Sequence, residues 1–205
     1  MERAQHWRLK RKVIQHYDAL SKVYNALYGY EQSLKIEEAL KFVNINLSDV
    51  VLDVGCGTGI LFKHIFNSAG LIVGIDISSQ TLNVAKKTLR GIGLDKISLI
   101  RADADFLPFK DRIFDKVFAI TLLQNMPNPT LTVNEIMRVA KDDAEIVLTG
   151  LKKFFSKESF LKILEESGMS FHLLNTGDNI KCHIAICGKS GVLGKNINNG
   201  SKIKK

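Results

Sequence analysis

The residues best suited to chemistry lie between Val50 and Phe62, VVLDVGCGTGILF, where an apolar run meets Asp53 and then Gly55, Gly57 and Gly59 alternate with other residues. Glycine has no Cβ, so such a stretch can turn sharply and bring bare main chain against a ligand. The helical pattern that follows would aim free N–H groups at the same place, which suits a flat or anionic group. Two further carboxylates stand at the ends of later apolar runs, Asp76 in GIDIS and Asp103 in RADADFLPF. Two nucleotide fingerprints fail. A dinucleotide site needs G-x-G-x-x-G, and the sixth position from Gly55 is Ile60. A phosphate-binding P-loop needs Gly-Lys-Ser/Thr at its end, and Gly59 is followed by Ile60 and Leu61.

The elements that must position these residues can be read from periodicity. VVLDV (50–54), LIVGID (71–76), ISLIRAD (97–103), FDKVFAI (114–120) and AEIVLTGL (144–151) are strand-like apolar runs, separated by helical patterns over 60–67, 79–89, 131–140 and 156–166. This alternation predicts an α/β fold: a Rossmann-like, doubly wound, seven-stranded and mostly parallel sheet. FHLLNT (171–176) and IKCHIAICG (180–188) flank a short Gly177-Asp178-Asn179 turn and must therefore be antiparallel to each other. Before the sheet, Val13, Ile14, Tyr17, Leu20, Val23, Tyr24 and Leu27 recur at helical steps; Gly29 is expected to end that helix and a second to run from Leu34 to Phe42. The expected division is a helical cap over 1–47, a ligand-binding domain over 48–188 and a basic, disordered tail over 189–205.

The Asp-GxGxG pattern resembles motif I of class I S-adenosylmethionine-dependent methyltransferases. The match is complete at Asp53, Gly55, Gly57 and Gly59, in the strand–loop–helix context such a motif requires. The resemblance implies S-adenosyl-L-methionine as cofactor, with its methionine part against residues 55–59, Cys56 included, and Asp53 organising the loop near the cofactor's amino group. It implies that Asp76, followed by Ile77, accepts from both ribose hydroxyls, and that Asp103, with the backbone of Ala104, holds the adenine amine while Phe106 or Leu107 flanks the ring. Thr121, after the fourth strand, belongs to the same set. The stretch FDKVFAITLLQNMPNPTLTVNEIMRVAKDDAEIVLTG resembles the ubiquinone/menaquinone C-methyltransferase-like (methyltransferase type 11) branch: Glu135, Arg138 and Val139 match, while AKDDA replaces LKPGG. The Asn-Pro-Pro-aromatic signature of adenine and glutamine methyltransferases is missing, because Asn125 is followed by Met126. YDALSKVYNALYG resembles the same branch, so Tyr17 and Tyr24, with Gln124 and Asn125, are candidates to meet a methyl acceptor; core packing explains the tyrosine spacing equally well.

No catalytic base announces itself. His16, His64, His172 and His183 are scattered, and activated methyl donors need alignment more than proton transfer. The acceptor is unidentified: a small molecule is favoured by the short cap, whereas an RNA or protein acceptor served with a partner subunit, a non-catalytic cofactor-binding subunit and an NAD-dependent oxidoreductase are the alternatives. The 205 residues suit one domain, and the net charge of +8 sits at the ends, with five basic residues in 1–12, five from Gly188 on, and 19 basic against 20 acidic residues between them. Basic ends suit a nucleic acid or an acidic partner. Neither a signal peptide nor a membrane span is expected. Cys56, Cys182 and Cys187 have no metal-ligand spacing, so no metal is expected and a reducing cytoplasm is the expected location.

Overall fold

The computed structural model describes residues 2–91 and 95–189, with backbone alone at residues 2 and 3. Seven strands form one sheet in the order β3-β2-β1-β4-β5-β7-β6. They are β1 (Val50–Val54), β2 (Leu71–Asp76), β3 (Ile97–Arg101), β4 (Phe114–Ala119), β5 (Ala140–Leu151), β6 (Met169–Leu173) and β7 (Cys182–Lys189). The neighbouring pairs among β1 to β5 are parallel, and β7 runs antiparallel to both β5 and β6. The doubly wound sheet expected from the strand–helix alternation is thus present.

Strand β1 shows why the runs are continuously apolar. Leu52 and Val54 enter one core cluster with Val117 and Ile146, and Val51 enters the cluster on the other face with Phe62 and Ile72. A strand covered on both sides cannot alternate polar with apolar residues. Gly74 of β2 serves the second face: a Cβ there would lie 2.4 Å from Phe62 Cζ and 2.9 Å from Cys56 Sγ. Its absence lets α3 (Ile60–Ile65) pack directly onto the sheet. Ser78 and Asn128 cap α4 (Ser79–Leu89) and α5 (Pro129–Val139), and Ser156 caps α6 (Lys157–Glu166), each by accepting a backbone N–H.

The closing strands are displaced from expectation, with β6 ending at Leu173 rather than 176 and β7 starting at Cys182 rather than 180, and three other boundaries differ for a clear physical reason. Gly29 lies inside α2 (Tyr24–Leu40), and the break from α1 (Glu2–Leu20) falls at Ser21–Val23. There Ser21 is buried and its hydroxyl donates to the Asp18 carbonyl at 2.9 Å. A helical glycine costs only about 1 kcal/mol relative to alanine, less than α2 recovers by burying Ile36 and Ala39 in the sheet's second core. Strand β5 begins at Ala140 rather than Ala144. A register shift against β4 accommodates the Lys-Asp-Asp insertion, with Ala140 and Ala144 buried and Lys141 bonded to Asp115 at 2.6 Å. Lys189, grouped by its charge with the tail, closes β7 and donates to Asp142 at 3.0 Å; the remainder of that tail lies outside the described residues.

The sequence order turns back at β1, with β2 and β3 on one side and β4 on the other. The carboxyl ends of β1 and β4 therefore open a crevice, the usual ligand position in such sheets.

Candidate cofactor and acceptor site

Main chain dominates the crevice floor. Gly57 and Gly59 adopt φ of 53° and 79°, a left-handed conformation that side chains rarely tolerate. A Cβ on Gly57 would meet nothing within 4 Å, so the backbone there faces open space within the cavity. Gly59 instead caps α3 and packs under Phe62, outside the cavity lining. The turn is tied to β2 by Gly55 and Cys56, whose N–H groups both donate to the Ile75 carbonyl at 2.8 Å. Cys56 is buried, and burial pushes its thiol pKa well up, which suits a filler of the turn.

Asp76 ends β2 and accepts from Gly57 N at 2.9 Å and Ser78 N at 2.8 Å. Burial raises its pKa, while these two donors oppose the rise. One carboxylate thus shapes the glycine turn and the start of α4 together while lining the cavity beside Ile77. Asp53 reaches the same cavity from β1. It is 3% exposed and has no hydrogen-bond partner among the described residues, and burial, followed by the nearby Asp76 charge, raises its pKa to about 8. A carboxyl open to the cavity and without a protein donor favours a ligand that brings a cation or donor to it.

At the far end, Asp103 and Ala104 line the cavity, and Asp103 is already engaged. Lys10 of α1 donates to both of its oxygens at 2.7 Å and also pairs with Asp105, which accepts from Thr132 Oγ1 at 2.5 Å. Neither Phe106 nor Leu107 lines the cavity; Phe106 is 71% exposed under the Lys10 ammonium, and Leu107 is in the core. In the sequence Lys10 is only one of five basic residues within the first twelve. No local signal joins it to an acid 93 residues away.

After β4, Thr121 takes φ of 60° and its N–H donates to Thr149 Oγ1 at 2.7 Å. Its carbonyl accepts from both Gln124 Nε2 and Asn125 Nδ2. Asn125 also donates to Tyr17 Oη at 3.0 Å and lines the cavity with Tyr17 and Tyr24, whereas Gln124 does not. Two residues missed by sequence reasoning complete this end: Gln32, which donates to Tyr24 Oη at 3.1 Å, and Lys35 behind it. Among the described residues no histidine lines the cavity, and its carboxylates, Asp53, Asp76 and Asp103, stand on its β1–β3 side. Glu135 and Arg138 lie elsewhere, bracing residues 107–111: Glu135 accepts from Leu107 N, and Arg138 donates to the Leu107 and Phe109 carbonyls and to Asp111.

The residues present fit S-adenosylmethionine: an open glycine cradle, an orphaned carboxylate for a cationic end, and a second carboxylate at the strand tip for a diol. Comparison with known proteins agrees. Residues 52–148 match the model of a methyltransferase domain. An uncharacterised protein of Methanocaldococcus jannaschii is 37% identical over 145 residues, 70% of this chain and 53% of that protein. A demethylmenaquinone methyltransferase of Oceanobacillus iheyensis is 29% identical over 114 residues, 54% of this chain and 48% of that enzyme. The chain thus spans about half the length of these curated relatives. Among solved structures, magnesium protoporphyrin IX methyltransferase of Synechocystis, with bound S-adenosylmethionine, superposes with a TM-score of 0.71 over 89% of this chain and 97% of that one, at 18% identity, a likeness of fold. Over residues 52–148 the chain is thus similar to the methyltransferase domain of the type 11 group, carried on a fold shared with S-adenosylmethionine-dependent methyltransferases of known structure.

Proposed function

We propose that this protein transfers a methyl group from S-adenosylmethionine to a small-molecule acceptor enclosed beneath helices α1 and α2. The single observation that carries this reading is Asp53: a buried, donorless carboxylate beside the open main chain at Gly57 is a receptor for a cationic amino-acid end. In this assignment Asp53 and the turn at 55–57 hold the methionine part. Asp76 accepts from the ribose, and Asp103 with the Ala104 backbone faces the adenine. When bound, the cofactor supplies an electrophilic methyl group on sulfur. The chain's own task is then alignment and exclusion of water, which can supply most of the acceleration for such a transfer.

A small acceptor is favoured by the cover. Val13 and Tyr17 from α1 and Tyr24 from α2 wall the cavity, and Thr58 of the glycine turn donates to Asn25 of α2 at 2.5 Å, so the cap and the turn form one wall. The demethylmenaquinone relative is named for a small acceptor too. Among the described residues no helix is long and apolar enough to cross a membrane.

Isothermal titration with S-adenosylmethionine and with NADH tests the assignment. The first is expected to bind, and Asp76→Ala to weaken it by roughly ten- to a hundredfold, the scale of lost hydrogen bonds to a charged group. Unchanged affinity in Asp76→Ala, or binding of NADH alone, would overturn it.

A further inference from the structure

The acceptor end of the cavity carries two chains of hydrogen bonds that end on phenol oxygens. Lys35 is 1% exposed, and its ammonium can only donate. It donates to Thr121 Oγ1 at 3.2 Å. That hydroxyl donates in turn to Gln32 Oε1 at 2.9 Å. The Gln32 amide is thereby oriented, and its Nε2 donates to Tyr24 Oη at 3.1 Å. The second chain is fixed from the other side. The Thr121 carbonyl can only accept, so the Asn125 atom 3.1 Å from it is Nδ2, and the same amino group donates to Tyr17 Oη at 3.0 Å.

Both phenol oxygens therefore receive an amide hydrogen and must send their own elsewhere. Among the described residues neither has an acceptor. Both rings line the cavity, with centroids 6.0 Å apart and planes tilted by 52°. Burial holds both phenols above their ordinary pKa, so they keep their hydrogens at neutral pH. Two half-buried donors on one wall form an arrangement suited to negative charge on oxygen, because they are held in place before the charge arrives.

We infer that Tyr17 and Tyr24 are a paired O–H donor site for an anionic oxygen on the methyl acceptor, such as a phenolate or enolate, with Asn125 and the Gln32–Thr121–Lys35 chain as positioning residues. The inference rests on the methyltransferase reading and names its substrate class. It also accounts for the lack of a base. An acceptor that arrives as an oxyanion gives an electron pair, from oxygen or from a conjugated carbon, to the methyl carbon; the pair of the broken carbon–sulfur bond leaves with sulfur, and charge balances. A carbon acceptor then releases its proton to water.

The test uses 4-nitrophenol, whose phenolate alone absorbs in the visible, titrated with full-length protein loaded with S-adenosylhomocysteine. The expected result is saturable growth of the phenolate band below the probe's own pKa, with nitrobenzene bound at least tenfold more weakly. Tyr17→Phe and Tyr24→Phe are each expected to lose roughly tenfold in phenolate affinity, as for a hydrogen bond to a charged group. Asn125→Asp, which offers Tyr17 an acceptor and draws its hydrogen out of the cavity, is expected to lose as much with the ring still in place. Equal affinity for nitrobenzene, no phenolate binding by the loaded protein, or retention within twofold in all three variants would overturn the inference. Failure of the methyltransferase reading is separate: S-adenosylhomocysteine itself would then not bind in calorimetry.

Discussion

Asp53 allows the cofactor assignment to be tested through protons. Its ordinary pKa of 3.8 is raised to about 8 by burial first and by the Asp76 charge second. At pH 6 the ligand-free protein therefore holds a proton on this carboxyl. A cationic amino group docks well only against the ionised form, so binding must release that proton. Affinity for S-adenosylhomocysteine should then rise by up to tenfold per pH unit from 6 to 8, about fiftyfold or ~2.3 kcal/mol in all, and level off above pH 8. Calorimetry at pH 7 in two buffers of different ionisation enthalpy should report close to one proton released, and Asp53→Asn should lose most of that release. The same shift has a stability consequence. Because the folded pKa lies above the unfolded one, the native state keeps a proton that the unfolded chain gives up above pH 4. The contribution of Asp53 to stability is therefore greatest at low pH and is lost, at up to about 1.4 kcal/mol per unit, as pH rises towards 8. Thermal unfolding of the ligand-free protein should show this fall and Asp53→Asn should lack it. Flat affinity between pH 6 and 8, or proton release undiminished in Asp53→Asn, would refute the assignment of Asp53 to the cationic end of the ligand.

Two further substitutions test how the site is held. Gly74→Ala places a methyl 2.4 Å from Phe62 Cζ and 2.9 Å from Cys56 Sγ, and should cost about 1–3 kcal/mol of stability by overpacking, read from urea unfolding; a loss below about 0.5 kcal/mol would mean that α3 is free to move away. Lys10→Met leaves Asp103 and the buried Asp105 without their cation and should destabilise the fold by about 2–4 kcal/mol, a penalty that Asp105→Asn on the same background should partly relieve; additive effects of the two substitutions would show that the pair is not coupled.

What was legible in the sequence, and what was not, follows the range of the interactions. The strands β1 to β4, the glycine turn and Asp76 are local patterns: apolar runs buried on both faces, φ values that favour glycine, and an acid placed where a strand meets its helix cap. The cap is a different case. Tyr17 and Tyr24 lie seven residues apart, a spacing that fits core packing and cavity lining equally, and only the tertiary partners Asn125 and Gln32 show that their hydroxyls have a fixed direction. Lys35 sits on a helix with ordinary amphipathic spacing, and Gly29 reads as a breaker although α2 passes through it. Lys10 shows the limit most sharply. As one cation in a basic end it suggests solubility or an anionic partner, yet the fold uses it as the counterion of Asp103 and Asp105, 7% exposed in its side chain. Net charge at a terminus is therefore a weak guide to an external partner here. At least one of the charges that compose it is consumed within the molecule, and it is the one that fastens the cap to the end of the cavity assigned to adenine.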